Sequence, residues 1–229
     1  MVSRAVRAVT FNARHGVGVD SRLDLERTAA LLARLRPDVA GVQELDDDAE
    51  RSGRINQAIW LGRALGMQVA SGPARGRRPH ERVALLSAHP VRGARTVWFW
   101  DGGRRGEPRA ALLAEIDAPA GRLHCVVAHL STRRRERARE RRALARTVRE
   151  LHGPVLALLD ANGSRLGPLR RVARLRPPPG RAPASFPAEQ PRKPVDWVLV
   201  RAPAQHLSRA WAPEDVASDH LPVVALVGC

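Results

Sequence analysis

The sequence predicts a single α/β domain made of two packed sheets with helices on their outer faces. Three observations predict it. Short apolar segments of strand length alternate with amphipathic segments of helix length from one end of the chain to the other. The 229 residues are enough to bury a large core in one domain. No internal repeat and no long linker divides them, so one domain over residues 1–229 is expected.

The elements follow in order. Ala5 to Asn12 alternates apolar residues and reads as a strand. Leu23 to Leu35 places Leu23, Leu31, Leu32 and Leu35 among charges and stops before Pro37, the pattern of an amphipathic helix. Val39 to Gln43 reads as a short buried strand. Asn56 to Leu65 reads as a second helix, with Ile55, Ile59 and Trp60 on its inner side and Gly66 at its end. Arg82 to Ser87, Thr96 to Trp100, Ala110 to Ile116 and Arg122 to Leu130 are successive strands, the last two joined by the turn Ala118-Pro119-Ala120-Gly121. Arg133 to Leu151 is a long helix with Leu144, Val148 and Leu151 on one face. Val155 to Leu159 is a fully apolar strand, and Arg176 to Pro183 is a loop rich in Pro and Gly. Val195 to Val200 and Leu221 to Val227 are the last strands. That makes about ten strands and three or four helices, arranged as two successive halves.

Composition bounds the function. The net charge of +16 invites a polyanion partner. Of the 39 basic residues Lys193 is the only lysine, and tyrosine is absent. Such a skew also fits codon bias, so the charge by itself does not name a substrate. Cys125 sits in an apolar run and Cys229 is the last residue, so no disulfide framework is expected. Residues 1–7 lead straight into a strand without the apolar stretch of a signal peptide, and no apolar run is long enough to span a membrane. A cytoplasmic protein with no membrane partner, acting as a monomer, is the expectation.

Polar residues stand where these strands end. Asn12 closes the first and Glu44 the second. His129 follows Val126-Val127-Ala128, and Asp160 and Asn162 follow Leu156 to Leu159. Asp196 opens a late strand, and Asp219 and His220 precede Leu221-Pro222-Val223. Each acid alone also reads as a turn or cap residue. Six clusters at strand ends, however, converge on one edge of a two-sheet sandwich.

The segments Thr10-Phe11-Asn12, Val42-Gln43-Glu44, Ala128-His129-Leu130, Leu159-Asp160-Ala161-Asn162, Val195-Asp196-Trp197-Val198 and Ser218-Asp219-His220-Leu221-Pro222-Val223 resemble the ordered motifs of the endonuclease/exonuclease/phosphatase superfamily. Pancreatic-type deoxyribonucleases, abasic-site endonucleases, sphingomyelinases and inositol polyphosphate 5-phosphatases belong to it. The resemblance implies a deoxyribonuclease I-like fold, a four-layer sandwich of two mostly antiparallel sheets flanked by helices. It implies a phosphoesterase that uses Mg²⁺ or Mn²⁺, with Glu44, Asn12 and Asp219 at the metal. Asp160 would orient or deprotonate the attacking water, and Asn162 would donate a hydrogen bond to the phosphate. Asp196 would hold His220, and His129 would contact the phosphate or carry a proton. Arg109 matches a phosphate-facing arginine and Glu81 a carboxylate that pairs with the first histidine.

The chain also departs from the pattern. The usual Gly-Asp-Phe-Asn is Leu159-Asp160-Ala161-Asn162, Val83 stands where many members have asparagine, and the stretch after Asn162 is short. Arg14-His15-Gly16-Val17-Gly18-Val19-Asp20, with Arg51-Ser52 and Gln57, resembles a compact bacterial branch of the family. Arg14, His15 and Asp20 are expected at the pocket entrance, and Gly16 and Gly18 read as turn glycines or as backbone that approaches a phosphate.

Arg133 to Arg142 carries a strip of arginines beside His129. It reads either as a guide for a polyanion or as a solvated helix face in which Glu136 and Glu140 pair with neighbouring arginines. The leading expectation is hydrolysis of a phosphodiester, with DNA or another nucleic acid as the first substrate class. The alternatives are a phosphomonoester or small phosphodiester on the same core, and a binding module without activity. A groove lined by Arg109 and Arg133 to Arg135 would favour nucleic acid.

Overall fold

Alternation along the strands decides the layering of this protein, whose computed structural model describes residues 5–78, 80–100, 106–201, 206–213, 215 and 217–228. The chain runs β1 (Val6–Asn12), α1 (Leu25–Leu35), β2 (Val39–Asp46), α2 (Gln57–Leu65), β3 (Gln68–Pro73) and β4 (Glu81–Ser87). It continues with β5 (Val91–Trp98), β6 (Ala110–Ala118), β7 (Gly121–His129), α3 (Arg134–Glu150), β8 (Val155–Asp160) and α4 (Gly167–Arg171). β9 (Asp196–Arg201), β10 (His206–Trp211) and β11 (Val223–Gly228) complete it. One sheet has the strand order β10-β11-β1-β2-β4-β3 and the other β5-β6-β7-β8-β9. Neighbours are antiparallel except β1 with β2 and β7 with β8. The expected four-layer sandwich is therefore present. The two successive halves are not, because β10 and β11 return to pair with β1 in the first sheet.

Three apolar clusters fill the layers. Between the sheets lie Val6, Ala8, Val39, Val83 and Leu85 from one side and Leu112, Val127, Leu156, Leu158 and Val198 from the other. Val9, Phe11, Val42 and Leu86 face the opposite way, onto α1 and α2. Val126, Ala128, Ala157 and Leu159 face α3 and α4. Each strand thus serves two cores with successive residues, as a period of two requires.

Helix ends follow their caps. The Asp24 side chain accepts from Arg27 N at the start of α1, and Asn56 does the same for Ile59 N in α2. Leu23 precedes the first helix and is half exposed, and Ile55 and Ile59 face solvent, with Ala58 and Leu61 buried instead. The expectation of Leu23, Ile55 and Ile59 as inner residues is corrected by these positions. Glu140 is corrected as well. It lies fully buried, and its Oε2 accepts from Ser131 N at 2.6 Å rather than pairing with arginines. Cys125 is buried in the inter-sheet core, and Cys229 lies outside the described residues. Among the described residues no helix is long and apolar enough to cross a membrane.

The sheets approach closely at Gly41 in the middle of β2. A Cβ built there would stand 2.5 Å from Leu158 Cβ, an atom with no freedom to move aside. Gly41→Ala is expected to destabilise the protein by about 1–3 kcal/mol through overpacking. The melting temperature should fall by roughly 2–10 °C. An unchanged melting curve would show that the sheets are not in this contact.

Candidate active site

The rows of side chains that build the inter-sheet core end in polar residues, all at one edge. Val6, Ala8 and Thr10 on β1 lead to Asn12. Val127 on β7 leads to His129, and Leu158 on β8 leads to Asp160. The antiparallel strands contribute at their beginnings, so Val83 on β4 leads back to Glu81 and Val198 on β9 leads back to Asp196. The register places His129 opposite Asp160 and Asp160 opposite Asp196. Asn12, Glu81, His129, Asp160 and Asp196 are each at most 2 % exposed, while Glu44, Asn162 and Asp219 at the same edge are partly exposed, so the edge has a buried polar floor that solvent reaches at its rim.

Glu44 reaches the same edge by a β-bulge. Val42 pairs with Ala84 and Leu45 with Arg82, three residues on β2 against two on β4. The extra residue lets Val42 and Leu45 both face α1 and α2 while Gln43 and Glu44 lie between them. Glu44 carries a φ of 53°, in the left-handed region where side chains other than glycine are strained. Gln43 is buried, and its Nε2 donates to Thr10 Oγ1 and to Leu158 O, tying the first sheet to the second just below the site.

Asn12 joins carboxylates from both sheets. Its Nδ2 donates to Glu44 Oε1 at 3.1 Å and to Asp160 Oδ2 at 3.0 Å, and its Oδ1 accepts from Arg14 N. His129 lies across the same pair, with Nε2 3.4 Å from Asp160 Oδ2 and Nδ1 3.7 Å from both Glu44 Oε1 and Glu81 Oε1. Burial would raise the Glu81 carboxyl, but His129 and the Arg75 guanidinium outweigh it and hold the group at about 2.

Asp196 and His220 form the second carboxylate–imidazole pair, with Nδ1 and Oδ2 2.8 Å apart. Ser185 Oγ donates to the same oxygen at 2.6 Å, and the Phe186 ring lies 4.8 Å from the imidazole. Burial opposes the imidazolium, yet the Asp196 carboxylate and then Asp160 and Asp219 raise His220 to about 10. Burial in turn pushes Asp196 upward against the pull of His220. Asp219 is more open, and its Oδ2 lies 3.8 Å from Arg14 Nε.

Asn162 turns at a φ of 46° directly after β8. Its N donates to Asp160 Oδ1 at 2.9 Å and its Nδ2 donates to Leu130 O at 2.8 Å. Arg109 is buried, with Nη1 donating to the His129 carbonyl at 2.8 Å, and burial pushes its guanidinium below the ordinary value. It therefore does not line an open groove. Arg133 pairs with Glu136, leaving Arg134 and Arg135 exposed.

A third imidazole enters from the 3-10 turn Arg14–Gly16. His15, at a φ of 59°, sets Nε2 3.3 Å from Glu44 Oε2 and Nδ1 3.1 Å from Asp46 Oδ1. Gln57 holds the turn by donating to His15 O and accepting from Asp46 N. Burial would raise Asp46, but two hydrogen bonds from Arg51 and the contact with His15 keep it well below the usual carboxylate range. Arg14 and His15 are thus at the site, whereas Asp20 is paired with Arg27 at the surface. Asp46 and Ser185 carried no sequence signal. Asp46 sits in an acidic run, Asp46-Asp47-Asp48, that reads as a loop, and Ser185 sits in a loop with no motif.

The donors suit a hard divalent cation. Glu44, Asp219, Asp160 and Asn12 offer oxygen, the chemistry Mg²⁺ and Mn²⁺ select. Ligand atoms of Asp160, Asp196 and His220 also lie within 4.8 Å of one another. Asp196 Oδ1 is buried without a hydrogen-bond partner, an orphan that a cation would satisfy.

Known proteins share this fold. The chain resembles an endonuclease/exonuclease/phosphatase from Beutenbergia cavernae DSM 12333 with a TM-score of 0.81 and 20 % identity, over 98 % of this chain and 72 % of that one. A mannosyl-6-phosphatase of Bacteroides thetaiotaomicron superposes with a TM-score of 0.72 at 15 % identity, over 97 % and 99 %. A truncated TDP2 of Caenorhabditis elegans gives 0.71 at 15 % identity, over 98 % of each chain. Among curated proteins none matches. The sequence model described as the Endonuclease/Exonuclease/phosphatase family matches residues 9–220, a span that holds every residue of the polar edge. The chain belongs to the endonuclease/exonuclease/phosphatase family.

Proposed function

We propose that the protein is a divalent-metal-dependent phosphoesterase that hydrolyses phosphodiesters, with the polar edge as its active site. One observation carries the reading. Glu44 from the first sheet and Asp160 from the second share a single Asn12 amide, at 3.1 and 3.0 Å, beside the Asp196–His220 pair. Bringing so many buried carboxylates together costs free energy unless a cation offsets their repulsion.

Glu44 and Asp219, with Asn12 between Glu44 and the turn that contacts Asp219, would hold Mg²⁺ or Mn²⁺. The ion supplies charge for the phosphoryl oxygens and for the departing alkoxide. Asp160 is fixed by Asn12 and by Asn162 N and is placed to orient and deprotonate the attacking water. Asn162 has one amide N–H left after bonding Leu130 O, and it would donate a hydrogen bond to the phosphate. Asp196 holds the His220 ring through Nδ1 and favours its charged form, so that Nε2 faces the substrate. His129, oriented by Glu81, meets the phosphate from the other side, and Arg109 acts as a positioning residue that braces the His129 backbone.

Nucleic acid is the first diester to test, and the net charge of +16 supports it. A phosphomonoester is the second reading, since a mannosyl-6-phosphatase shares the fold. Activated aryl phosphodiester and monoester should be supplied side by side, with Mg²⁺ or Mn²⁺, and plasmid nicking read in parallel. Metal-dependent cleavage of the diester and nicked plasmid are expected. Faster release from the monoester without nicking would favour the second reading, and inertness towards both would defeat the proposal.

A further inference from the structure

Some arginines of the surface meet carboxylates and others do not, and four of the latter share one cleft. Arg27, Arg51, Arg54, Arg75, Arg82 and Arg92 each meet a carboxylate. Arg170, Arg171, Arg174 and Arg176 are exposed and meet no carboxylate of any described residue. These four and Arg201 line a cleft of about 1020 Å³ on the flank of β9, with no acidic residue among the described residues of its wall. Arg201 is spoken for, since its Nη1 donates to Val148 O at the end of α3. Burial and the neighbouring Arg174 charge push the Arg201 guanidinium down. The cleft therefore crowds like charges that the fold does not compensate, which costs free energy unless an anion occupies it.

Its course is set by the β8–β9 pair. Asp160 lies opposite Asp196 at the active-site end, and Val155 lies opposite Arg201 at the other. The cleft touches Ser164 and Trp197 near the first end and Gly153 and Arg201 at the second. The four steps from Trp197 to Arg201 cover roughly 13 Å. A stacked nucleic acid strand carries one phosphate per about 3.4 Å of helix axis, so such a track passes about four phosphates at most. Trp197 is almost buried and its Nε1 donates to Gly163 O, so no aromatic face is presented for base stacking.

We propose that this arginine cleft is a second, non-catalytic site that binds the sugar–phosphate backbone of a nucleic acid strand irrespective of base sequence. The site is distinct from the polar edge, and its binding does not depend on hydrolysis there. The test is binding of a fluorescein-labelled single-stranded oligodeoxynucleotide in excess chelator, at several salt concentrations. Wild type is compared with Arg170→Gln/Arg171→Gln/Arg174→Gln/Arg176→Gln. A control of equal charge change replaces exposed arginines elsewhere, Arg22, Arg36, Arg63 and Arg95.

The cleft variant should bind at least about tenfold more weakly at moderate salt, and its salt slope should fall by about 3, the release expected for four phosphates on a single strand. The control should lose much less, and the cleft variant should still cleave a small activated diester if the wild type does. Equal losses in both variants would mean that net charge alone attracts the strand, and would overturn the proposal. So would an unchanged salt slope, or a wild type that binds inorganic phosphate but no oligonucleotide. Absence of any hydrolysis would count against the catalytic reading and leave this one standing.

Discussion

Glu44→Gln should lower metal-dependent hydrolysis by at least about 10²–10³-fold, the range lost when one electrostatic stabiliser of a transition state is removed. The substitution keeps an oxygen for Asn12 Nδ2 to meet, so the hydrogen bond that crosses the site survives. What it removes is the negative charge that a hard cation needs and that Gln cannot replace. Fold stability should not suffer. Glu44, Asp46, Glu81, Asp160 and Asp196 crowd one edge, and neutralising one of them relieves repulsion. The expected result is therefore an unchanged or slightly higher melting temperature together with lost activity and weaker Mn²⁺ binding. A variant that binds Mn²⁺ and turns over like wild type would remove Glu44 from the metal site.

Asp196→Asn should cost about 10³–10⁴-fold in kcat, comparable to the loss when the carboxylate behind a catalytic histidine becomes an amide. The reasoning concerns charge, since burial opposes the imidazolium and Asp196 is what raises His220 to about 10. Asp196 Oδ2 accepts from His220 Nδ1 and from Ser185 Oγ, and an amide oxygen in its place can keep both bonds, but it removes the negative charge that holds the imidazolium and leaves a buried NH2 at the position of Oδ1. The residue is buried and its volume is preserved, so shape is not in question. Ser185→Ala removes only one of the two donors and should cost far less. If Asp196→Asn changes KM alone and leaves kcat intact, then His220 takes no part in the reacting geometry.

Much of this site is written in the same pattern as the core. The rows that run Val6, Ala8, Thr10, Asn12 and Leu156, Leu158, Asp160 obey the period of two throughout, so a reader of the sequence sees apolar strands that end in polar residues. What the pattern hides is anything that depends on a break in it. The bulge that turns Glu44 inward inserts one residue that no alternation rule foresees, and the strand therefore extends to Asp46 instead of stopping at Gln43. β3 has the composition Gln-Val-Ala-Ser-Gly-Pro and owes its place to pairing with β4 rather than to apolar content. Glu140 reads as one more charge on an arginine-rich helix, and only the fold of residues 129–131 over α3 gives it a backbone N–H to satisfy. Arg109 is similar. The motif suggests a phosphate partner, and the structure turns the guanidinium inward to the His129 carbonyl. His15 stood near the expected entrance, but its link to Asp46, Arg51 and Gln57 is a tertiary fact with no local signature.

The central claim is that the polar ends of the inter-sheet rows form one metal-dependent hydrolytic site. Its most direct test is hydrolysis of an activated phosphodiester by chelator-treated protein before and after Mg²⁺ or Mn²⁺ is added, with Asp160→Asn carried through the same steps. Activity should be absent without metal, return with it in the wild type, and stay absent in the variant. Undiminished turnover in excess chelator, or full recovery by Asp160→Asn, would contradict it.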